Sequence, residues 1–221
     1  MDLEIKDVAE LLDVSETTIH CWLTDGKIPA YKLNHQYRFS RIEIENWMIG
    51  ANLPENKEPV ATQRGGLQQF SLYRAIHKGG VFANIAGETK EEIIRATTKM
   101  IAPQLGMDVE GLSELLLDRE ELMSTAMNRG IAVPHTRDLL LKGPFDVVVI
   151  VFPERPIEYG ALDGEPVHTL FFLFSSTDKS HLQLLAKLAH LSSHGETLQL
   201  LRSKPSQSAL LEYIRDWESL L

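Results

Sequence analysis

Cysteine is nearly absent, and Cys21 alone excludes an internal disulfide framework and fits a reducing compartment. Long apolar runs are absent too. The longest, residues 147–152 and 170–174, have the length of strands, far short of the roughly 18 residues that cross a bilayer. Excess positive charge is also missing: a net charge of −9 over 221 residues excludes a chain that coats nucleic acid with its whole surface, so any DNA contact needs a local basic patch. The first residues, Met1-Asp2-Leu3-Glu4, are acidic and lack the basic-then-apolar pattern of a secretory signal. These absences lead to the expectation of a soluble cytoplasmic protein with no membrane insertion. What is present is enough apolar content, 43%, for one ordinary domain and a small one.

The chain divides into residues 1–50, a polar stretch at 51–66 rich in proline and glycine that reads as a linker, and residues 67–221. In the third part helical and strand patterns alternate, which predicts an α/β fold: a C-terminal mixed sheet flanked by helices beside a small N-terminal unit. Residues 131–133, 146–152 and 168–174 read as strands, and their near-continuous apolar character predicts burial on both faces. Thr89 with Glu92 has capping-box spacing, and Asp108, Ser180 and Ser206 stand where helix caps are expected.

In the first fifty residues, Ile5, Val8, Ala9, Leu11 and Leu12 form one apolar face. Asp13-Val14-Ser15 makes a tight turn, and a second helix runs over 16–23 until Gly26 stops it. Residues 28–33 and 36–39 flank Asn34-His35 as a hairpin, and a third helix runs over 41–48. This is helix-turn-helix spacing. The run from Val8 to Ser15, then Thr18-Ile19, Trp22, Gly26-Lys27-Ile28-Pro29 and Arg38-Phe39, resembles the excisionase-type winged helix-turn-helix modules related to MerR regulators. The resemblance implies DNA binding through Ser15, Thr17, Thr18, His20, Lys27, Lys32 and Arg38. Such modules often carry arginines in the recognition helix, where this chain has Glu16, Thr17 and Cys21, so docking to a protein is the competing expectation. Trp22 reads as core and Cys21 as an ordinary helix residue.

The most chemically loaded segment is Gly130-Ile131-Ala132-Val133-Pro134-His135-Thr136-Arg137, an apolar strand that leads through proline to histidine. Histidine titrates near neutrality, so its unprotonated nitrogen can attack phosphorus. Arginine suits the charge of a phosphoryl group, and Arg119 lies upstream. His181 lies at a predicted helix start, where the helix dipole and nearby amides would favour a neutral ring and an anion. Arg129 and Arg137 flank the segment, either as solvated residues or as a dock for an acidic partner. His168 reads as structural. His190 and His194 have i, i+4 spacing but no third ligand is evident, so they read as helix surface and no metal is expected.

The segment Leu117-Asp118-Arg119-Glu120-Glu121-Leu122, the strand into His135, Asp163-Gly164-Glu165-Pro166-Val167 and His181-Leu182 with Leu185-Ala186 together resemble the enzyme IIA domain of the fructose–mannitol–nitrogen class (type 2) in the phosphoenolpyruvate:sugar phosphotransferase system. The resemblance runs from about Leu67 onward. It implies that His135 is the phosphoryl acceptor, Arg119 the stabilising arginine and His181 a hydrogen-bond donor to the phosphoryl group, with no cofactor and an HPr-like phosphocarrier protein as donor. It predicts a nitrogen-type regulatory phosphotransferase component, not a stand-alone multiple-turnover enzyme, whose phosphorylation state controls binding to DNA or to regulated target proteins. The alternative is a phosphocarrier serving a sugar permease, with residues 1–50 as a docking module. Homo-oligomerisation is compatible with either.

Overall fold

The structure, a computed structural model, describes residues 2–12, 14–33, 36–50, 71–136, 140–141 and 145–221. It begins with a short strand, β1 (Asp2–Leu3), followed by α1 (Ile5–Leu12), which buries Val8, Ala9 and Leu11. Ser15 then caps α2 (Glu16–Thr24): its Oγ accepts the Thr18 amide at 3.1 Å, giving that amide a partner the first helical turn cannot supply. β2 (Tyr31–Leu33) and β3 (Gln36–Ser40) pair antiparallel, and β1 lies on the other edge of β3, with Leu3 opposite Phe39. Helix α3 (Arg41–Gly50) follows, burying Ile44 and Met48, and Trp47 packs against Trp22 with ring centroids 5.6 Å apart. The expected turn residues Asn34 and His35, the linker at 51–66 and Arg137 lie outside the described residues.

The second unit runs α4 (Ser71–Gly79), β4 (Val81–Ile85), α5 (Lys90–Leu105), α6 (Val109–Leu122), β5 (Ala126–Met127), β6 (Ile131–Ala132), β7 (Val147–Pro153), β8 (Thr169–Phe174), α7 (Asp178–Ser193), α8 (Gly195–Arg202) and α9 (Gln207–Glu218). Its sheet is mixed, in the order β4-β7-β8-β6-β5: β4 is parallel to β7, β7 antiparallel to β8, β8 parallel to β6 and β6 antiparallel to β5. Every residue of β7 and β8 is buried. Val148, Ile150, Phe152, Phe171 and Leu173 join the core formed with α4, α7 and α9. Val147, Val149, Val151, Leu170, Phe172 and Phe174 join the core formed with α5 and α6. The two-residue period of a strand sends alternate side chains to opposite faces, so a sheet covered on both sides needs a continuous apolar run. Gly79 lets α4 lie directly on β7, because a Cβ there would stand 2.2 Å from the Val148 carbonyl oxygen.

The mixed sheet with helices on both faces is the α/β class expected from the alternating pattern, and several caps stand where the sequence places them. Thr89, Asp108 and Ser206 each accept the amide three residues on. The Thr89 box is half formed, since Glu92 Oε2 accepts the Glu88 amide instead. The cap of α7 is Thr177, three residues before the expected Ser180. Thr177 accepts the Ser180 amide at 3.1 Å, and Ser180 Oγ lies 3.3 Å from the Thr177 amide. Asp146 holds this corner by accepting from the Ser176 amide at 2.8 Å and from Ser180 Oγ at 2.8 Å.

The two units are in contact. Helices α1 and α3 lie against α7, α3 also reaches β5, and one apolar cluster runs from Val8, Leu11 and Met48 through Leu182 and Leu185. Among the described residues no helix is long and apolar enough to cross a membrane.

Candidate phosphoryl site

Gly130 closes the turn between β5 and β6. Its φ of 78° is open to glycine, and a Cβ there would meet the His168 ring at 2.6 Å. From there β6 runs alongside β8, and the chain past it stays in register: the Leu173 amide donates to the Pro134 carbonyl at 2.9 Å and His135 bridges Leu173. Three residues beyond the strand, His135 is held 1% exposed with Nδ1 at 2.7 Å from the Val133 carbonyl oxygen. A carbonyl only accepts, so Nδ1 carries the proton and Nε2 carries the lone pair.

His181 comes from the first turns of α7 and is 2% exposed. The two rings lie 5.2 Å apart, tilted by 60°. Ser175, just past β8, contacts His181 Nδ1 at 2.8 Å through Oγ, and when its hydroxyl donates, His181 Nε2 carries the proton that can be offered to an anion. Burial holds the His181 ring well below its usual range, with electrostatic coupling to His135 and the charges of Arg41 and Arg119 adding to the effect. The helix amides expected to receive an anion are engaged: Ser180 N donates to Thr177 Oγ1 and His181 N to the Thr177 carbonyl. The neutral ring is thus a product of burial, where the sequence pointed to the helix dipole.

The low His181 pKa has a measurable sign. Below about pH 6.5 the unfolded chain gains this proton and the folded chain does not, so the His181 contribution to stability is lost as pH falls, at up to about 1.4 kcal/mol per pH unit. Glu45 and Glu120 act the other way, because burial raises both carboxyls and the folded chain protonates them first. The His181 ring resonances are expected to show no titration midpoint near about pH 6.5 by NMR, and a midpoint there would contradict the buried neutral ring.

Arg119, near the end of α6, is 4% exposed and donates to the Met123 carbonyl at 2.8 Å. Its neighbour Glu120 is 3% exposed and accepts from the Thr125 amide at 3.0 Å and the Thr125 hydroxyl. The Thr125 carbonyl in turn accepts the Val133 amide at 3.0 Å, so one chain of bonds connects the arginine's helix to the strand that carries His135.

The fourth wall comes from the other unit. Glu45 of α3 is 6% exposed, with Oε1 3.5 Å from His181 Nε2 and 2.8 Å from the Arg41 guanidinium. Arg41 also pairs with Asp178 at the start of α7, and Asn46 Oδ1 lies 3.5 Å from Arg119. Ligand atoms of Glu45, His135 and His181 lie within 4.8 Å of one another, a donor set a metal ion would accept. The charges favour an anion instead, since Arg41 and Arg119 both act on Glu45 and a divalent cation would have to enter beside them. Glu45, Asn46, Ser175 and Glu120 are absent from the sequence-based set. Glu45 lies 90 residues from His135, and no local spacing signals such a pair.

The remaining candidates lie elsewhere. On the N-terminal unit, Ser15 and Thr18 bond each other at 2.9 Å within the cap. Thr17 and His20 are exposed on α2, as is Cys21. Lys27 pairs with Asp25 at 2.8 Å, Arg38 with Glu4 at 2.6 Å, and Lys32 lies over the Tyr37 ring. Arg41, close to them in sequence, turns toward α7. Arg129 Nη1 donates to the Ser193 carbonyl, and His168 Nδ1 lies 2.8 Å from Thr169 Oγ1. His190 and His194 are half-buried, with ring centroids 5.6 and 6.4 Å from Trp217, so they pack where helix surface was expected.

Comparison with known proteins shows what the chain is similar to. The chain is 30% identical over 148 residues to the nitrogen regulatory protein of Pseudomonas aeruginosa, covering 66% of this chain and 95% of that one. It is 32% identical over 136 residues to the nitrogen regulatory protein of Escherichia coli, covering 59% and 81%. The crystal structure of the nitrogen regulatory protein IIA-Ntr from Neisseria meningitidis shares the fold, with a TM-score of 0.55 at 22% identity over 64% of this chain and 92% of that one. Residues 3–50 match the model of a helix-turn-helix domain. Because residues 74–217 match the model described as phosphoenolpyruvate-dependent sugar phosphotransferase system, EIIA 2, the chain belongs to that phosphotransferase family.

Proposed function

We propose that the protein is a phosphotransferase component of the regulatory, nitrogen-type branch that takes a phosphoryl group on His135 Nε2 from an HPr-like phosphocarrier. The observation that carries this reading is the fixed tautomer: Nδ1 is tied to the Val133 carbonyl, so Nε2 attacks and no separate base is needed. The P–N bond of the carrier's phosphohistidine breaks, a P–N bond forms at His135 Nε2, and the carrier's imidazole leaves neutral. Arg119 and the Nε2 proton of His181 would balance the charge on the phosphoryl oxygens. The names of the related proteins favour regulation over sugar uptake as the role of the site. The expected result with phosphoenolpyruvate, enzyme I and an HPr-type carrier is one acid-labile phosphate per chain. Recovery of the label on any residue other than His135 would overturn the reading.

The N-terminal unit supplies the output in this proposal, by contact with DNA through the exposed Thr17, His20, Lys27 and Lys32, with Ser15, Thr18 and Arg38 as the supporting cap and wing. Since Lys27 and Arg38 already face acids, few phosphate contacts are available and binding is expected to be weak and salt-sensitive. Lys32→Ala is expected to reduce the salt slope of DNA binding by about one. A wild-type slope of zero would place the output in protein contacts instead.

A further inference from the structure

Glu45 stands where the chemistry of the pocket calls for an anion. Around its carboxylate are His181 Nε2 at 3.5 Å, the Arg41 guanidinium at 2.8 Å and the positive field of Arg119. These groups are the ones a phosphoryl group on the neighbouring His135 would recruit. No donor can reach the His135 ring while α3 covers it, since His135, His181 and Arg119 are 1%, 2% and 4% exposed. The rim of the contact is ionic: Arg41 to Asp178, and Lys179 to Glu10 at 3.4 Å. The proposed groove-reading helix α2 stays outward, with Thr17, His20 and Cys21 exposed.

We infer that α3 is an internal stopper of the phosphoryl site: Glu45 and a phosphoryl group on His135 are alternative occupants of one pocket, so phosphorylation requires and then maintains release of the helix-turn-helix unit. A carboxylate and a phosphoryl group confined between the same two rings repel, and both compete for the same guanidinium and imidazole donors. The partner that this face of the phosphotransferase domain fits is therefore the chain's own third helix, and an incoming carrier must displace it. The inference rests on phosphoryl acceptance by His135, and its test separates the two.

The test uses the full chain and potassium phosphoramidate, a small donor that needs no protein partner. Its P–N bond breaks as the bond to His135 Nε2 forms, and ammonia leaves. If the open form is a tenth of the population, Glu45→Ala is expected to label about ten-fold faster than wild type. Glu45→Gln, which keeps the volume and removes the charge, guards against a folding defect in the alanine variant and is expected to label faster than wild type. Spin labels on Cys21 and on an introduced Ser219→Cys report the spacing of the two units. That distance is expected to lengthen and broaden on phosphorylation. Equal labelling rates in all three proteins, or an unchanged distance once His135 is phosphorylated, would overturn the stopper while leaving phosphoryl acceptance intact. Absence of label on His135 in every protein would remove both.

Discussion

His135→Gln is expected to take up no phosphate from phosphoenolpyruvate, enzyme I and an HPr-type carrier, while His181→Gln is expected to label slowly at His135. The two rings are 5.2 Å apart and similarly buried, so proximity alone does not distinguish them. Their hydrogen bonds do. His135 Nδ1 faces a carbonyl, which fixes a proton on Nδ1 and a lone pair on Nε2. His181 Nδ1 faces a hydroxyl, which can donate and leave the proton on Nε2. In the proposed reading one ring serves as the nucleophile and the other as a donor. Losing the nucleophile leaves no P–N bond to form, whereas losing one donor to a developing charge slows transfer by about 100- to 1,000-fold. Glutamine at 181 retains an N–H near the same place, so part of that loss is expected to be recovered. Phosphate on His181 in the His135→Gln variant, at a rate close to wild type, would reverse the roles.

Much of this was readable in the sequence because it is local or periodic. The continuous apolar runs of β7 and β8 announce strands covered on both faces, and Ser15, Thr89, Asp108 and Ser206 announce caps through a three-residue offset. His135, Arg119 and His181 were singled out through the family resemblance of the segments that carry them, and the structure brings the two rings together with Arg119 close enough to act on His181. The short elements escaped. β5 has two residues, β4 exposes Ala83 and Asn84, and α8 has eight residues, so none carries enough period to be heard. The cap of α7 was misplaced because Thr177 and Ser180 both offer a hydroxyl at a plausible start, and only Asp146, 34 residues before Ser180, decides between them. Glu45 was unreadable for a deeper reason. A buried acid in a helix normally asks for a basic residue nearby, and Arg41 at i−4 satisfies that local rule while hiding the pairing with a histidine pocket in another unit.

Arg119→Ala is expected to reduce phosphoryl transfer to the full chain by about 10- to 100-fold, a smaller loss than its place in the pocket first suggests. Two effects of opposite sign meet at this side chain. As a donor to the transferring group, its removal costs about 100- to 1,000-fold. As a partner of Asn46 at 3.5 Å and a positive neighbour of Glu45, it also holds α3 over His135, so its removal eases access. Access can return no more than the closed state withholds, about ten-fold if one chain in ten is open. The first effect therefore wins, and the net loss is their ratio. A double-mutant cycle separates them: in a Glu45→Ala background the stopper is already gone, so Arg119→Ala is expected to show the full loss there. Arg119→Lys keeps the charge without the planar fork and is expected to recover only part of the rate. Loss of the arginine also leaves the Met123 carbonyl without its donor, at a cost of about 1–3 kcal/mol in stability, which a thermal melt reads independently of transfer. Equal losses in both backgrounds would show that Arg119 acts on the phosphoryl group alone.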